Sequence, residues 1–372
     1  MIGQRFGGFK KHGTAEPSAF WVAIDDDAND GYMTCVGDFN RSLGLPYTFV
    51  AKALVARGAD SIDLKFESSP FLEESFKKTI IEPLPADFIL TARLERDGHG
   101  DGFKGDWQLN SVTGEIYLTP RLGSHAHGTP TAPTMTINTW SQYKEWAGKV
   151  AHEGTSLFRG QSKPHPLKTS FHRTGRVDLI RYFNIALPRF RDHYSTAVNR
   201  AYRHDDPHDV GAIIGIAQHH GFPTPLLDWT ESPYIAAYFA FAEALGAPDD
   251  ERSVRIFRLT PSFLQSDAKP EGIMEVSDPR LKVAVFKPES RGNLRLLNQQ
   301  GAFTFSNVLD IEWWMRDQES RTGNTYLQII DLPAKLAREA VTDLRYMGTS
   351  AAGLFPGIDG IATQLKHQLF FS

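Results

Sequence analysis

Apolar and polar residues alternate along residues 88–95: Phe88, Leu90, Ala92 and Leu94 fall on one side of an extended chain, Ile89, Thr91, Arg93 and Glu95 on the other. A period of two marks a half-buried strand. The Gly/Asp-rich tract RDGHGDGFKGD follows, then Trp107 and Leu109, then TGEIYL with the same alternation. Strands separated by tight turns predict a meander or small barrel reaching to about residue 122. Within it, LPYTFVAKALVARG predicts one helix closed by Gly58. The tract GSHAHGTPTAPTM, residues 123–135, loses all apolar periodicity and predicts a linker. His125 and His127 lack a nearby carboxylate there and read as solvated loop rather than as metal ligands.

Beyond the linker the period changes to that of helices. Thr139 and Gln142 form a capping-box pattern, and Trp140, Tyr143, Ala147 and Val150 share one stripe. Asp206 and Pro207 start a second helix with Ile213, Ile216 and Ala217 as its buried stripe, His220 on that stripe, and Gly221 with Pro223 at its end. PLLDWT is a short buried strand, after which Ser232 caps and Pro233 opens the helix PYIAAYFAFAEA. That helix is apolar around nearly its whole circumference, which places it in a core. GTSAAGLFPGIDGIA, residues 348–362, predicts a closing segment with Phe355 and Ile358 buried and Asp359 in a turn. The expected fold class is α+β: a β-rich domain over 1–122, a linker over 123–135, and a mixed α/β domain over 136–372.

Length agrees with two domains, since 372 residues exceed one comfortable core. With 41% apolar and 23% charged residues the chain is globular, and no stretch of about 18 apolar residues would span a membrane. No apolar run follows the basic residues near the start, so a secretory signal is not expected and a cytoplasmic location is. The single cysteine, Cys35, excludes an internal disulfide and a multi-cysteine zinc site. A net charge of −4 gives no overall pull towards nucleic acid.

The chemistry concentrates in two places. Phe158, Arg159, Gly160 and Gln161 set a permanently charged, planar fork beside a glycine that lets a backbone or a ligand approach. Arg159 is then either an anion site or an ordinary arginine paired with a carboxylate. Asp228, Trp229, Thr230 and Ser232 lie at the mouth of a buried helix N-terminus, which either binds an anion or is a plain cap. RHDDPHD, with His204, Asp205, Asp206, His208 and Asp209, raises a metal-dependent hydrolase as a further class. Helix-start roles for Asp206 and Asp209, and the divergent directions of His219 and His220, argue against it.

FRGQ, QHHGFPTPLLDWTESPYIAAYFA, NQQGAFTF and GLFPGIDGIA, in this order over about residues 140–370, resemble the FRG domain family, which is named for its motif. A weaker resemblance is to ADP-ribosyltransferases of the arginine, serine, glutamate type, and it implies an ADP-ribosyltransferase-like fold using NAD. On that resemblance Arg159 would hold the pyrophosphate or nicotinamide ribose, Thr230 and Ser232 would brace the strand and cap the ligand, and Trp229 or Tyr238 would stack on a ring. Phe158, Gln161, His220 and Gln299 complete the implied cofactor-binding set, and Arg159, Asp228 and Gln300 the catalytic one. Asn298, Gln299 and Gln300 stand where the transferases place a glutamate. Either Asp228 or Glu231 then supplies the carboxylate, or the domain binds a nucleotide without turning it over. The expected function is NAD or nucleotide binding with transfer of ADP-ribose to a protein or nucleic acid chosen by the N-terminal domain, an architecture that suits a toxin or antiviral defence protein. The other class is a non-enzymatic interaction module in which Arg159 and the glutamines build a polar core network.

Overall fold

The structure, a computed structural model, describes residues 3–13, 17–25, 32–38, 48–57, 61–68, 90–97, 102–119, 131–203, 206–246, 252–266, 281–286 and 294–371. The chain is α+β, with an antiparallel barrel followed by helices on a mixed sheet. Strands β1 (Gly3–Lys11), β2 (Ser18–Ile24), β3 (Tyr32–Asp38), β4 (Thr48–Arg57), β5 (Ser61–Ser68), β6 (Leu90–Arg96), β7 (Phe103–Leu109) and β8 (Val112–Leu118) form a closed barrel in chain order. β8 returns to β1 between Gly7↔Leu118 and Lys11↔Gly114. The alternation read from Leu90, Ala92 and Leu94 is the inward face of β6, packed with Val22, Leu64, Trp107 and Ile116.

One sequence expectation fails here. Residues 48–57 are a strand rather than a helix, paired along their length with β3 (Val50↔Val36) and β5 (Val55↔Leu64). Ala and Lys in this stretch favour a helix in isolation, but a closed barrel needs a partner on both edges of every strand, and that tertiary demand overrides local preference. Gly58, Phe88 and Ile89 lie outside the described residues, as do residues 123–130 of the expected linker. Its last residues are tied down: Thr134 exchanges hydrogen bonds with Ile329, and Met135 opens an edge strand.

The second unit is a seven-stranded sheet in the order β13-β14-β11-β10-β12-β15-β9. Its strands are β9 (Met135–Thr136), β10 (Leu157–Gln161), β11 (Leu226–Thr230), β12 (Ser253–Leu259), β13 (Val283–Phe286), β14 (Gly301–Ser306) and β15 (Leu327–Pro333). All neighbours are antiparallel except β9 and β15. Helices α1 (Trp140–Val150), α2 (Leu187–Val198), α3 (Pro207–His219), α4 (Pro233–Ala242), α5 (Leu294–Asn298), α6 (Ile311–Thr322), α7 (Ala337–Tyr346) and α8 (Ile358–Phe370) are joined by shorter turns. Alternate residues along the strands face opposite sides. Leu227 and Trp229 of β11 join Leu157, Phe257 and α6 on one face. The other face carries two apolar clusters side by side. α1, α4 and α7 cover β10, β12 and β15, while α3 covers Leu226, Phe303 and Phe305.

Local sequence explains the helix starts. Thr139 and Gln142 form the capping box of α1, whose buried stripe is Trp140, Tyr143, Ala147 and Val150. Asp206 caps α3, with Pro207 in its first turn, and Ser232 caps α4, with Pro233 in its first turn. The buried face of α3 is Val210, Ile213, Ile214 and Ala217, with Ile216 half-buried. The closing segment departs from expectation, because Ile358 is exposed, Phe355 is half-buried, and Asp359 lies in the first turn of α8.

The barrel docks through β2, which is buried on both sides. Val22 and Ile24 point into the barrel, whereas Trp21 and Ala23 join the α3 cluster of the second unit. Buried Asp25 accepts from Val177 N at 2.7 Å and Asp178 N at 3.0 Å, and Gln4 bonds Asn307 and Leu309.

Gly160 is one of the tightest points of the second unit. A methyl group there would come within 1.9 Å of the Ala236 carbonyl oxygen and 2.8 Å of Ala240 N, so α4 lies directly on the β10 backbone. The glycine beside Arg159 therefore admits a helix. Gly160→Ala should cost at least about 3 kcal/mol, because neither backbone can yield cheaply. Thermal unfolding should register it as a midpoint lower by roughly 5–10 °C, and an unchanged midpoint would refute this packing.

Candidate functional site

The close seating of α4 shapes the sheet beneath it. β10 pairs with β12 along its whole length but with β11 at one bridge, Phe158↔Thr230. Past that bridge, Arg159 supplies the link in place of a backbone ladder. Its Nη1 donates to the Asp228 carbonyl oxygen at 2.8 Å and lies 3.7 Å from Asp228 Oδ2. The Asp228 carboxylate is more than half exposed, so the ion pair contributes under about 1 kcal/mol. The charge-assisted bond to a backbone carbonyl contributes roughly 1.5–3 kcal/mol and is the stronger tether.

Above this split lies a cavity of about 250 Å³, in the groove between the two apolar clusters of that sheet face. Phe158, Arg159, Asp228, Trp229, Thr230 and Gln299 line it, so the fold brings together residues separated by up to 141 positions. Gln218 and His219 enter from α3, Phe239 from α4 and Arg295 from α5. Gln218 Nε2 donates to Asp228 Oδ2 at 2.7 Å, while the Gln218 amide oxygen accepts from the Thr224 hydroxyl. Asp228 is thus oriented by an amide that is itself held.

Electrostatics favour an anion here. Arg159, Arg295 and His219 line the cavity together with Asp228, the one carboxylate among the described lining residues, and Arg173 repels Arg159 from the flank. Burial first, then Arg173, pushes the Arg159 pKa down, against the attraction of Asp228. Burial also lowers Arg295, with Asp228 opposing, and lowers His219, aided by Arg295 and His220. Groups pushed away from their charged forms gain most from a negative ligand. Arg159 Nε is buried with no hydrogen-bond partner. The Arg295 guanidinium makes no hydrogen bond or close ion pair among the described residues and rests over the Phe355 ring at 4.6 Å.

Not every anticipated residue presents its side chain to this cavity. Trp229 is buried on the far face, with its indole N–H on Thr304 Oγ1 at 2.9 Å. Thr230 Oγ1 donates to the Gln299 carbonyl at 2.7 Å and accepts from Ser232 N at 3.1 Å, and Ser232 Oγ caps Ile235 N. These hydroxyls brace the start of α4. Gln161 is half-buried opposite Arg255, and Tyr238 is buried in the α4 core with its hydroxyl unpartnered; neither lines this cavity. His220, expected on the buried stripe of α3, is exposed as its C-terminal cap, since α3 ends one residue earlier and turns at Gly221. Its neighbour His219 faces the cavity instead.

The glutamine motif is largely structural in this geometry. Gln300 is exposed in the left-handed region at φ 48°, and its carbonyl accepts from Glu231 N. Asn298 Nδ2 and Gln299 Nε2 donate to the carbonyls of Gly353 and Leu354, tying the NQQG turn to the GLFPG turn. Of the two carboxylates considered for the missing glutamate, Asp228 lines the cavity and Glu231 does not. Among the described residues no group of three His, Cys, Asp or Glu could hold a metal ion. Asp206 and Asp209 accept from backbone N–H groups, and His204 and Asp205 lie outside the described residues.

Gln218, His219, Phe239 and Arg295 were not selected from sequence. A signal for two of them existed: Gly215, Gln218 and His219 are spaced i, i+3, i+4 on α3.

Comparison with known proteins adds one relationship. Residues 154–248 match the family model described as the FRG domain, which spans Arg159 through α4 and therefore includes most of the cavity wall. No curated protein and no solved structure matches the chain.

The segment whose Arg173 flanks Arg159 is acid-sensitive. Thr169 caps the short helix Ser170–Arg173 and bonds His172 Nδ1 at 2.9 Å, and burial pushes the His172 pKa down to about 3 from 6.5. The folded chain keeps this ring neutral where the unfolded chain is protonated. Its contribution is full above pH 6.5 and falls by up to about 1.4 kcal/mol per pH unit as pH drops towards 3. Urea unfolding between pH 7 and pH 4.5 should show a shallower loss for His172→Gln by about one proton. Equal slopes would contradict a buried neutral ring.

Proposed function

We propose that the second unit binds a nucleotide in the cavity at the split between β10 and β11, with NAD as the cofactor, and transfers ADP-ribose to a macromolecular target selected by the barrel. The observation that carries the proposal is the pairing of half-buried Arg159, whose buried Nε is unspent, with Arg295, whose guanidinium has no hydrogen bond among the described residues, in a cavity where Asp228 is the one carboxylate among the described lining residues. Two guanidinium groups with free donors suit the oxygens of a pyrophosphate. NAD, when bound, supplies the ADP-ribosyl group and the nicotinamide that leaves. Arg159 and Arg295 would hold the phosphates, and Asp228, fixed by Gln218, would place negative charge beside the ribose. That charge matters because glutamine occupies the position where transferases carry glutamate, and removing one preorganised charge of this kind costs about 10²–10³ in rate.

A second reading, a non-enzymatic module, is favoured by the bond between Arg159 and a backbone carbonyl, which a purely structural arginine would also make. The two separate cleanly. Labelled NAD is incubated with the protein and a whole-cell lysate, and label is followed into protein and nucleic acid, together with nicotinamide release. NAD at about 100 times its Kd should also stabilise the fold by about 2.7 kcal/mol. We expect Arg295→Ala to abolish both labelling and stabilisation, and Asp228→Ala to reduce labelling at least about 100-fold while preserving most of the stabilisation. Absence of labelling, nicotinamide release and stabilisation in the wild type would leave the interaction module.

A further inference from the structure

A second and larger cavity, about 860 Å³, lies between the C-terminal ends of α2 and α3, α4, and one side of α8 from Asp359 to His367. It shares His219, Phe239 and Arg295 with the first cavity, so the two adjoin across these residues. Their characters differ. The first holds cations around one carboxylate and, at about 250 Å³, falls short of the roughly 300–1,000 Å³ of pockets that enclose a whole ligand. The second falls within that range. Its arginines Arg200 and Arg295 are matched by Glu243 and Asp359, so its charge is nearly balanced when its histidines are neutral. Burial lowers the pKa of His219 and of His367 there, which favours that neutral state.

Aromatic rings dominate the second wall. Tyr194 lies 5.9 Å from Tyr202 and 6.3 Å from His220, ring centre to ring centre, and Arg200 covers Tyr202 at 4.7 Å. At the shared boundary Arg295 covers Phe355. A small cationic chamber opening beside a roomy, charge-balanced aromatic one matches a ligand with phosphates at one end and a planar heterocycle at the other.

We infer that the second cavity takes the nucleobase end of the ligand, seated among Tyr194, Tyr202 and His220, while Arg295 marks the junction with the phosphates. The inference rests on the nucleotide reading of the first cavity, and the closing experiment separates the two. Titration calorimetry on the full chain uses three probes: NAD, inorganic pyrophosphate, and adenosine, which has a base but no phosphate. Wild type should bind all three. Tyr202→Ala and His220→Ala should weaken NAD and adenosine at least about tenfold, the order expected for loss of a base-stacking ring, and leave pyrophosphate unchanged. His220 is an exposed helix cap, so its variant retains the fold, and unchanged pyrophosphate binding reports that Tyr202→Ala does as well. Pyrophosphate binding without adenosine binding, or NAD affinity indifferent to both substitutions, would overturn the inference and leave the phosphate site standing. Adenosine binding sensitive to both, without pyrophosphate binding, would support the aromatic site and overturn the phosphate one. Binding of none of the three would overturn both.

Discussion

The hydrogen bond from Arg159 to the Asp228 carbonyl spans the place where β10 and β11 part, and the second unit is arranged around that gap. A split sheet leaves backbone groups without their ladder partners, at a cost of about 1–3 kcal/mol for each one that is shielded from water. A guanidinium is long enough to reach across and retains its charge at any working pH. It therefore closes the gap structurally and leaves positive charge at its edge. The same group satisfies a strand and polarises a cavity.

Other features follow from keeping that gap open. α4 sits on the β10 backbone because residue 160 has no side chain, and its N-terminus is held by Ser232, Thr230 and the Gln299 carbonyl. α3 delivers Gln218 to Asp228, and Thr224 fixes Gln218 from the loop preceding β11. The NQQG turn is anchored to the Ala351–Leu354 helix through Asn298 and Gln299, close to Arg295, which lines the same cavity as Arg159. Four sequence-distant segments thus meet at one point through polar contacts that apolar packing alone would not specify. The barrel contributes from outside: Trp21 and Ala23 pack on the cluster that supports α3.

Much of this was legible in the chain. Caps at Thr139, Asp206 and Ser232, the apolar circumference of α4 and the alternation in β6 are local signals, and each resides in a few adjacent residues. The pairing of Arg159 with Asp228 could be anticipated as chemistry, though not that a carbonyl would receive the guanidinium. What sequence did not disclose depends on distant partners. β4 is a strand because the barrel must close, and His219 rather than His220 faces the cavity beside Arg159 because it shares the helical phase of Gly215 and Gln218. Arg295 carries no motif of its own, and its place is set by a turn anchored 55 residues further along the chain.

The central claim is that Arg159 and Arg295 together form an anion site at the strand split. A crystal structure of the full chain soaked with NAD tests it most directly. The account predicts phosphate density within hydrogen-bonding distance of both guanidinium groups, with Arg159 Nε, unpartnered in the folded chain, engaged by the ligand. Clear density for the dinucleotide elsewhere on the molecule, or an empty cavity under conditions where solution binding is saturated, would contradict it.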